Sequence, residues 1–395
     1  MPNSQSISVV IVAGGTGTRF GADLPKQYLP IAGRAVIHHT VRSFLSAGVP
    51  PQAIQIVVGA GMEDQLAAAL IGLPDLLPPV TGGADRQASV LAGLEALTDT
   101  MPDLVMIHDA ARPFVPSHVI NQLIAAMKDH CAAIAALPVV DALQMATNGT
   151  IRHAVERENL WRAQTPQIFH YGDILDAHRT YIGKGLADDA AVAMAAGHEV
   201  KIVVGDDMTF KITHADDLPK AEAVLFLQTP DVRTGQGYDV HRFGVGDHVW
   251  LGGVRIEHTQ SLIGHSDADV AQHALTDAIL GALGNGDIGT HFPPSDDKWK
   301  GASSDLFLRH ACNLVAARGG VITHLDLTLI CEAPKIGPHR EAMLTRLSEI
   351  TGVVATRISV KATTTEKLGF TGRGEGIAAQ ALATIRLPID TAAAS

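Results

Sequence analysis

Four short runs of apolar, largely β-branched residues recur through the first half of the chain. They are ISVVIVA (Ile7–Ala13), IQIVVGA (Ile54–Ala60), LVMIHDA (Leu104–Ala110) and AAIAALPVV (Ala132–Val140). A strand that is apolar on both faces must be covered on both, the condition of a parallel sheet between helical layers. The stretches between these runs supply the cover: AVIHHTVRSFLSAG and RQASVLAGLEAL have helical periodicity. The alternation predicts a doubly wound α/β domain, closed by a helix at DLPKAEAVLFL (Asp217–Leu227). Ligands of such sheets collect at the carboxyl ends of the strands. Three polar clusters fall there: the loop after the first run, GGADRQ and HDAARP.

The 395 residues are too many for one core, so two domains are expected. QTPDVRTGQG, starting at Gln228, combines proline, glycine and polar residues without a period and reads as the connector. The reading is a domain over 1–228, a linker over 229–232 and a second domain over 233–395. The second half has glycine-rich connections, strands at LDLTLI and RISVKATT, and helices at DADVAQHALTDAILGAL and EAMLTRLSEI. That mixture predicts a compact α+β domain.

A formal charge of −11 argues against coating a polyanion, so no nucleic-acid partner is expected. Local cations still suit a small anionic ligand. Cys131, Cys312 and Cys331 are odd in number and far apart, which fits a reducing cytoplasm rather than a disulfide framework. MPNSQSIS lacks the regions of a signal peptide, and the most apolar run, CAAIAALPVV, is too short to span a bilayer. A soluble, cytoplasmic protein without a membrane partner is expected.

IVAGGTGTRFGADLPKQYLP (Ile11–Pro30) carries the first motif. Phe20 stands where the third glycine of G-x-G-x-x-G belongs, and no GK[ST] follows, so dinucleotide and Walker readings fail on spacing. What remains is a glycine-rich loop whose backbone N–H groups can face phosphates, followed by Arg19 and Lys26. Glycine-rich turns are common in α/β folds, so the loop alone also fits a plain strand-to-helix turn.

AGGxGxR followed by PKQY resembles the nucleotidyltransferases that make nucleoside-diphosphate sugars and alcohols. GGADRQASVLAGL and IHDAARP narrow the resemblance to the 2-C-methyl-D-erythritol 4-phosphate cytidylyltransferase family, over about Ser8 to Leu227. The resemblance implies a Rossmann-like nucleotidyltransferase domain using CTP and methylerythritol phosphate. It implies that Gly14, Gly15 and Gly17 cradle the triphosphate and that Arg19 and Lys26 neutralise it. Asp85, Arg86 and Ser89 would face cytosine and ribose, and Asp109 would hold Mg²⁺. Lys211 of TFKIT would stand near the reacting phosphates. Arg157 and Thr165 of ERENLWRAQTPQIF would hold methylerythritol phosphate, on an arm that reaches across a dimer. The chain departs from the family after Asp141, where Ala142, Leu143 and Gln144 replace a threonine and a basic residue. Each residue alone has a plainer reading: a surface charge for Lys211 or Arg157, a helix cap for Asp109.

In GYDVHRF, Asp239 and His241 are two apart and share one face of a strand. In HSDADVAQHALTD, His273 lies on a helix, with Asp269 and Asp277 one turn to either side. Two histidines and a carboxylate are a common zinc set with an open position. In a chain with 19 histidines that spacing alone is ordinary.

SVKATTTEKLGFTGRGEG, with HSDADV, GDIGTHFPPSD and APKIGPH, resembles the 2-C-methyl-D-erythritol 2,4-cyclodiphosphate synthase family from about Arg233 to Leu387. The resemblance implies that Asp239, His241 and His273 hold Zn²⁺ or another divalent ion, and that Glu366 binds a second, Mg²⁺. Lys335, Thr363 and Thr364 would contact cytidine and diphosphate. His265, Ser266, Asp287 and Gly289 would belong to the mobile loop and the erythritol pocket. Asp277 suits a supporting role better than ligation. Arg373 and Glu375 would map near the threefold axis of a homotrimer. Trimers joined through dimers would close as a hexamer. A separate kinase supplies the step between the two reactions and is a candidate partner. The competing reading, a sugar-nucleotide pyrophosphorylase fused to a zinc hydrolase, lacks a general base of the HExxH kind.

Overall fold

The computed structural model describes residues 5–15, 24–264, 266–293, 299 and 301–389. The chain divides into two compact units, Met1–Ala221 and Glu222–Ser395. Among the described residues no helix is long and apolar enough to cross a membrane.

The strands of the first unit are β1 (Ile7–Ala13), β2 (Pro30–Ile31), β3 (Arg34–Ala35), β4 (Ile54–Val58), β5 (Val80–Thr81), β6 (Leu104–Asp109), β7 (Ala132–Pro138), β8 (Leu143–Thr147), β9 (Thr150–Val155), β10 (Trp161–His170) and β11 (Lys201–Val204). Seven form one sheet in the order β11-β7-β10-β6-β1-β4-β5. β1 pairs in parallel with both β4 and β6. The helices are α1 (Val36–Ser46), α2 (Glu63–Ala69), α3 (Arg86–Glu95), α4 (Ser117–Ala126), α5 (Tyr171–Tyr181) and α6 (Asp189–Ala195), and α7 (Asp217–Gln228) follows.

Alternate residues of β1 enter two different cores. Val9, Ile11 and Ala13 join Phe44, Val119 and Leu123 on one side of the sheet. Val10 joins Val90, Leu94 and Ile174 on the other. This is the doubly wound arrangement that the apolar runs predict.

The fourth run, β7, is not beside the third. β10 lies between them, antiparallel to both. Its sequence, WRAQTPQIFH, hides the strand: Gln164, Thr165 and Gln167 are polar yet buried. The register shifts between Ala163 and Gln167, and Pro166 sits in that irregularity, where no ladder N–H is required. β8 and β9 form a separate, mostly exposed hairpin.

The second unit contains β12 (Asp231–Gly244), β13 (His248–Leu251), β14 (Val254–Glu257), β15 (Ser261–Leu262), β16 (Val321–Ile330), β17 (Ile358–Thr363) and β18 (Gly376–Leu387). Five of them form a sheet in the order β15-β12-β18-β16-β17. Helices α8 (Val270–Leu283), α9 (Ile288–His291), α10 (Asp305–Ala317), α11 (Arg340–Thr351) and α12 (Gly369–Gly372) complete an α+β unit. Apolar residues of α8, α10 and α11 share one core with the sheet.

The expected connector from Gln228 is corrected here. From Asp231 it is strand β12, paired with β18 over its length from Asp231 to Arg242. Its glycines serve packing rather than flexibility. A Cβ at Gly237 would lie 1.9 Å from the Ala274 carbonyl oxygen of α8, and one at Gly235 would lie 2.2 Å from that of Ala278. Helix and strand backbones touch at these two positions, which only glycine permits. The same alternation carries Asp239 and His241 toward the start of α8.

Candidate active sites

In the first unit the carboxyl ends of β1 and β6 open into a cleft of about 490 Å³. Gly14, Gly15, Lys26, Asp85, Arg86, Ser89, Asp109 and Lys211 all line it. Gly17 and Arg19 lie outside the described residues. The buried Gln27 amide donates to the carbonyls of Ala13 at 2.6 Å and Gly15 at 3.0 Å, pinning the start of the glycine loop. Lys26 Nζ donates to the Ile212 carbonyl at 2.7 Å, next to Lys211.

Asp109 ends β6 and faces several cations. Lys211 Nζ is 2.7 Å from Oδ2, Arg86 Nε 3.3 Å from Oδ1, and Arg112 Nε 3.8 Å from Oδ2. Burial pushes the Asp109 carboxyl up, but Lys211 and Arg86 outweigh it and hold it well below the usual carboxylate range. Asp109 does not cap a helix. Asp85 does: it accepts from Ala88 N at 2.7 Å at the start of α3. Ser89 Oγ donates to the Asp85 carbonyl at 2.8 Å.

Arg86 also meets Asp189, a fully buried residue that the sequence reading missed. Burial pushes the Asp189 carboxyl up, and Arg86 more than reverses the effect. His178 Nε2 is 3.3 Å from the same carboxylate.

Thr165 and Arg157 stand apart from the other expected residues. Thr165 is buried and lines no part of the cleft. His108 Nε2 is 3.0 Å from the Arg112 carbonyl, which can only accept, so Nδ1 is left as an acceptor. Thr165 Oγ1 donates to that Nδ1 at 3.0 Å and accepts from Asp109 N at 3.1 Å. Arg157 follows the β8–β9 hairpin, is exposed, and donates to the Val140 carbonyl. Within one chain it is not among the cleft residues.

In the second unit Asp239, His241 and His273 bring one ligand atom each to within 4.8 Å of one another. Asp239 Oδ2 is 3.0 Å from His241 Nε2 and 2.9 Å from His273 Nδ1, and the two nitrogens are 3.1 Å apart. Burial pushes the Asp239 carboxyl up, but the two histidines beside it leave it well below its usual range. His241 moves upward, because Asp239 outweighs the effect of burial.

His241 Nδ1 donates to the Ile263 carbonyl at 2.8 Å, so its Nε2 lone pair points into the triad. Bare nitrogens and a carboxylate at this spacing repel unless a proton or a cation lies between them. The donor set fits a divalent ion that takes imidazole and carboxylate ligands.

The flanking acids do other work. Asp269 is buried and caps α8, accepting from Ala271, Gln272, Gly252 and Gly253 N–H groups. Asp277 accepts from Ile288 N at 2.7 Å and ties α9 to α8. Ser266 Oγ is 3.0 Å from His273 Nε2, while His265 lies outside the described residues. Asp287 caps α9 by accepting from Thr290 N at 2.8 Å, with Gly289 in that turn.

Thr363 ends β17 and Thr364 and Glu366 follow it, with Thr364 Oγ1 donating to Glu366 at 2.8 Å. Lys335 lies exposed in the loop after the adjacent β16. Arg373 pairs with Glu375 at 2.7 Å in an exposed turn. The residues missed by sequence reasoning are Gln27, Asp189, Asp267 and Ser304. All four act through neighbouring residues: Gln27 and Asp267 lie inside PKQY and HSDADV without having been singled out there, and Asp189 and Ser304 lie in no motif.

The folds and sites define a two-domain enzyme of phosphate chemistry, a nucleotidyltransferase-type α/β unit and an α+β unit with a triad that could hold a metal ion. Comparison with known proteins specifies it further. Residues 7–226 match the family 2-C-methyl-D-erythritol 4-phosphate cytidylyltransferase, and residues 232–386 match the YgbB family. The chain is 54% identical to the bifunctional enzyme IspD/IspF of Rhodospirillum rubrum, over 97% of this chain and 99% of the relative. It is 53% identical to that of a Bradyrhizobium species, over 98% and 99%. Among solved structures, the bifunctional IspDF from Campylobacter jejuni is 30% identical and covers 97% of this chain and 98% of its own, with a TM-score of 0.47. The chain therefore belongs to the bifunctional family that joins a methylerythritol phosphate cytidylyltransferase to a methylerythritol cyclodiphosphate synthase, a nucleotidyltransferase and a phosphorus–oxygen lyase of non-mevalonate isoprenoid biosynthesis.

Proposed function

We propose that the first unit's cleft transfers CMP from CTP to 2-C-methyl-D-erythritol 4-phosphate. The observation that carries this is the pairing of Lys211 and Arg86 with Asp109 in a cleft also lined by Lys26, Gly14 and Gly15. An oxygen of the 4-phosphate attacks the α-phosphorus of CTP, and the bond to the pyrophosphate oxygen breaks. Such a reaction needs positioning and charge neutralisation more than covalent chemistry. Lys26 and Lys211 neutralise the phosphates, together with Arg19. Gly15 leaves room for the triphosphate, with nothing within 4 Å of where a Cβ would lie, and Asp85, Arg86 and Ser89 form the nucleoside wall. Asp109 would hold Mg²⁺, which would supply positive charge at the triphosphate. Lys211, 2.7 Å from Asp109, would be within reach of the substrate phosphates. Arg157 and Thr165 are assigned to the methylerythritol phosphate side, Arg157 from the partner in a dimer. The buried, committed hydroxyl of Thr165 supports a part in holding Asp109 more than direct contact.

The second unit cyclises 4-diphosphocytidyl-2-C-methyl-D-erythritol 2-phosphate. The 2-phosphate oxygen attacks the β-phosphorus, and CMP leaves with the bridging oxygen. Asp239, His241 and His273 hold a divalent ion, Zn²⁺ in this reading, which supplies a Lewis-acid charge for the β-phosphate. Glu366 holds the second ion, Mg²⁺, and Lys335, Thr363 and Thr364 bind cytidine and diphosphate. His265, Ser266, Asp287 and Gly289 enclose the erythritol part.

Ladder partners run Val240 to Ala378, Ala378 to Ile330 and Ile330 to Thr363, so the triad and the Thr363–Glu366 turn share one level of the sheet. They are three strand spacings apart, roughly 14 Å, too far to serve one phosphate. That separation supports a site completed by a neighbouring subunit of a trimer, with Arg373 and Glu375 near its axis. Trimers joined through first-unit dimers give a hexamer. The first domain is taken as 1–228 and the second as beginning with β12, at Asp231 rather than 233. A cytoplasmic location and association with the intervening kinase complete the reading.

The deciding experiment measures pyrophosphate release with methylerythritol phosphate, Mg²⁺ and each of the four nucleoside triphosphates. Release with CTP far above the others is expected. Folded protein without CTP-dependent release would sink the reading of the cleft.

A further inference from the structure

The two histidines of the triad differ in what holds their outer nitrogens. His241 uses a backbone carbonyl, as described. His273 Nε2 lies 2.9 Å from Ser304 Oγ and 3.0 Å from Ser266 Oγ. Ser304 is fully buried, immediately before α10. Its hydroxyl also reaches Asp267 Oδ1, while its backbone N–H donates to Asp267 Oδ2 at 3.1 Å. Asp267 is itself held in place: Oδ1 accepts from Asp269 N at 3.2 Å, and its own N–H donates to the Ala302 carbonyl at 3.1 Å.

A carboxylate can only accept. The single hydroxyl proton of Ser304 therefore goes to Asp267, and the Ser304 oxygen faces His273 Nε2 as an acceptor. An imidazole that donates from Nε2 keeps a bare lone pair on Nδ1, the atom turned toward Asp239 and His241. We infer that Asp267, acting through Ser304, is the positioning pair that fixes the tautomer and ring orientation of His273 for metal binding. The inference rests on the proposed reading that the triad holds a divalent ion.

A different arrangement is available to the same atoms. If Ser266 donated its proton to Nε2, the ring proton would sit on Nδ1 and point at Asp239 Oδ2, 2.9 Å away. Metal binding would then have to displace that proton, and Ser304 would make no difference to it. The two arrangements predict different measurements.

The test uses the full chain, stripped of metal, with Zn²⁺ titrated against a chromophoric chelator. His241→Ala defines binding at the triad, because whatever it retains belongs to other sites. Ser304→Ala is expected to weaken triad binding by roughly 10- to 100-fold, as loss of an outer partner does at other sites. Ser304→Thr keeps the hydroxyl and should stay close to wild type, with Asp267→Asn between the two. Circular dichroism and amide exchange across Val270–Leu283 serve as the check that the second unit of each variant is folded. Nitrogen-15 spectra of the metal-free histidines should show His273 protonated on Nε2 in the wild type. Unchanged zinc affinity in Ser304→Ala, beside its loss in His241→Ala, would show that Ser304 only supports α10 and would overturn the inference while leaving the metal reading intact. A wild-type Nδ1–H tautomer would also overturn it. Equal zinc binding by wild type and His241→Ala would remove the triad reading and the inference together.

Discussion

Arg86 turns both terminal nitrogens toward Asp189, at 3.1 and 2.7 Å, deep inside the first unit. Its third nitrogen meets Asp109. The guanidinium is thus clamped from behind by one carboxylate while it orients another at the cleft. Asp189 also balances one of the positive charges that crowd Asp109. On the proposed reading, Asp189→Asn should lower kcat/KM for cytidylyl transfer by roughly tenfold to a hundredfold, the usual consequence of misplaced groups. Breaking a buried pair commonly costs about 3–5 kcal/mol. Here the cost should lie at the lower end, because the Arg86 side chain is 31% exposed and can recruit water. CMP release by the second unit should be unaffected. Full transfer activity in folded Asp189→Asn protein would show that Arg86 needs no such clamp.

Two buried histidines on α1 make the first unit sensitive to acid. Burial pushes His38 down to about 2 and His39 down to about 4, with the nearby Arg34 and Arg42 adding to both. An unfolded histidine titrates near 6.5. Above that value both states are neutral and neither group favours unfolding. Below it the unfolded chain takes up protons that the folded chain refuses, so stability falls with pH until the folded values are reached. Each group contributes about 1.4 kcal/mol per pH unit, so the two together cost up to roughly 2.7 kcal/mol for each pH unit between about 6.5 and 4. Amide exchange across Val36–Ser46, corrected for the intrinsic rate, should show lower protection at pH 5.5 than at pH 7. Equal protection would mean that water or a rearrangement accommodates the charged rings.

The contact between β12 and α8 predicts opposite outcomes for neighbouring glycines. A methyl group at Gly237 would meet the Ala274 carbonyl oxygen at 1.9 Å, and backbone cannot yield as a flexible side chain can. Gly237→Ala should separate helix from strand and remove cyclisation, because Asp239 and His273 sit on the two parted elements. At Gly281, on α8 itself, the nearest atom to a new Cβ is 3.8 Å away. Gly281→Ala gains helix propensity without a clash and should stabilise the second unit by up to about 1 kcal/mol. Thermal inactivation of CMP release, compared with that of pyrophosphate release, separates this unit from the first. Stable, active Gly237→Ala protein would refute the close approach.

The same glycines show why part of the fold was legible and part was not. Apolar runs such as Ile7–Ala13 announce buried strands because burial on both faces leaves no polar position to alternate. Gly235 and Gly237 misled because glycine signals a connector in the absence of a partner, and their partner is a helix more than thirty residues away. β10 was hidden for a related reason: its buried Gln164, Thr165 and Gln167 are satisfied by distant groups. The Asp239–His241–His273 triad could be read through the resemblance carried by the motifs around it, because D-x-H and a distant histidine are ordinary on their own. Ser304, Asp267 and Asp189 could not, since a supporting carboxylate or hydroxyl needs no fixed distance in sequence from the group it supports.

The two candidate sites lie in separate compact units, each with its own sheet and core, so a lesion in one should spare the other. His241→Ala removes a ligand that no other residue of the triad can replace and should abolish cyclisation, with cytidylyl transfer close to wild type. Lys26→Ala removes a cation from the cleft and its bond to the Ile212 carbonyl, and should abolish transfer with cyclisation intact. Each variant is best assayed for both products in one preparation, CMP from the cyclisation substrate and pyrophosphate from CTP, with circular dichroism to confirm the fold. Loss of both activities in folded His241→Ala protein would mean that the units depend on one another, through a shared assembly or a shared metal. Undiminished CTP turnover in Lys26→Ala would take Lys26 out of the proposed role and leave Lys211 and Arg86 as the described cations nearest the reacting phosphates.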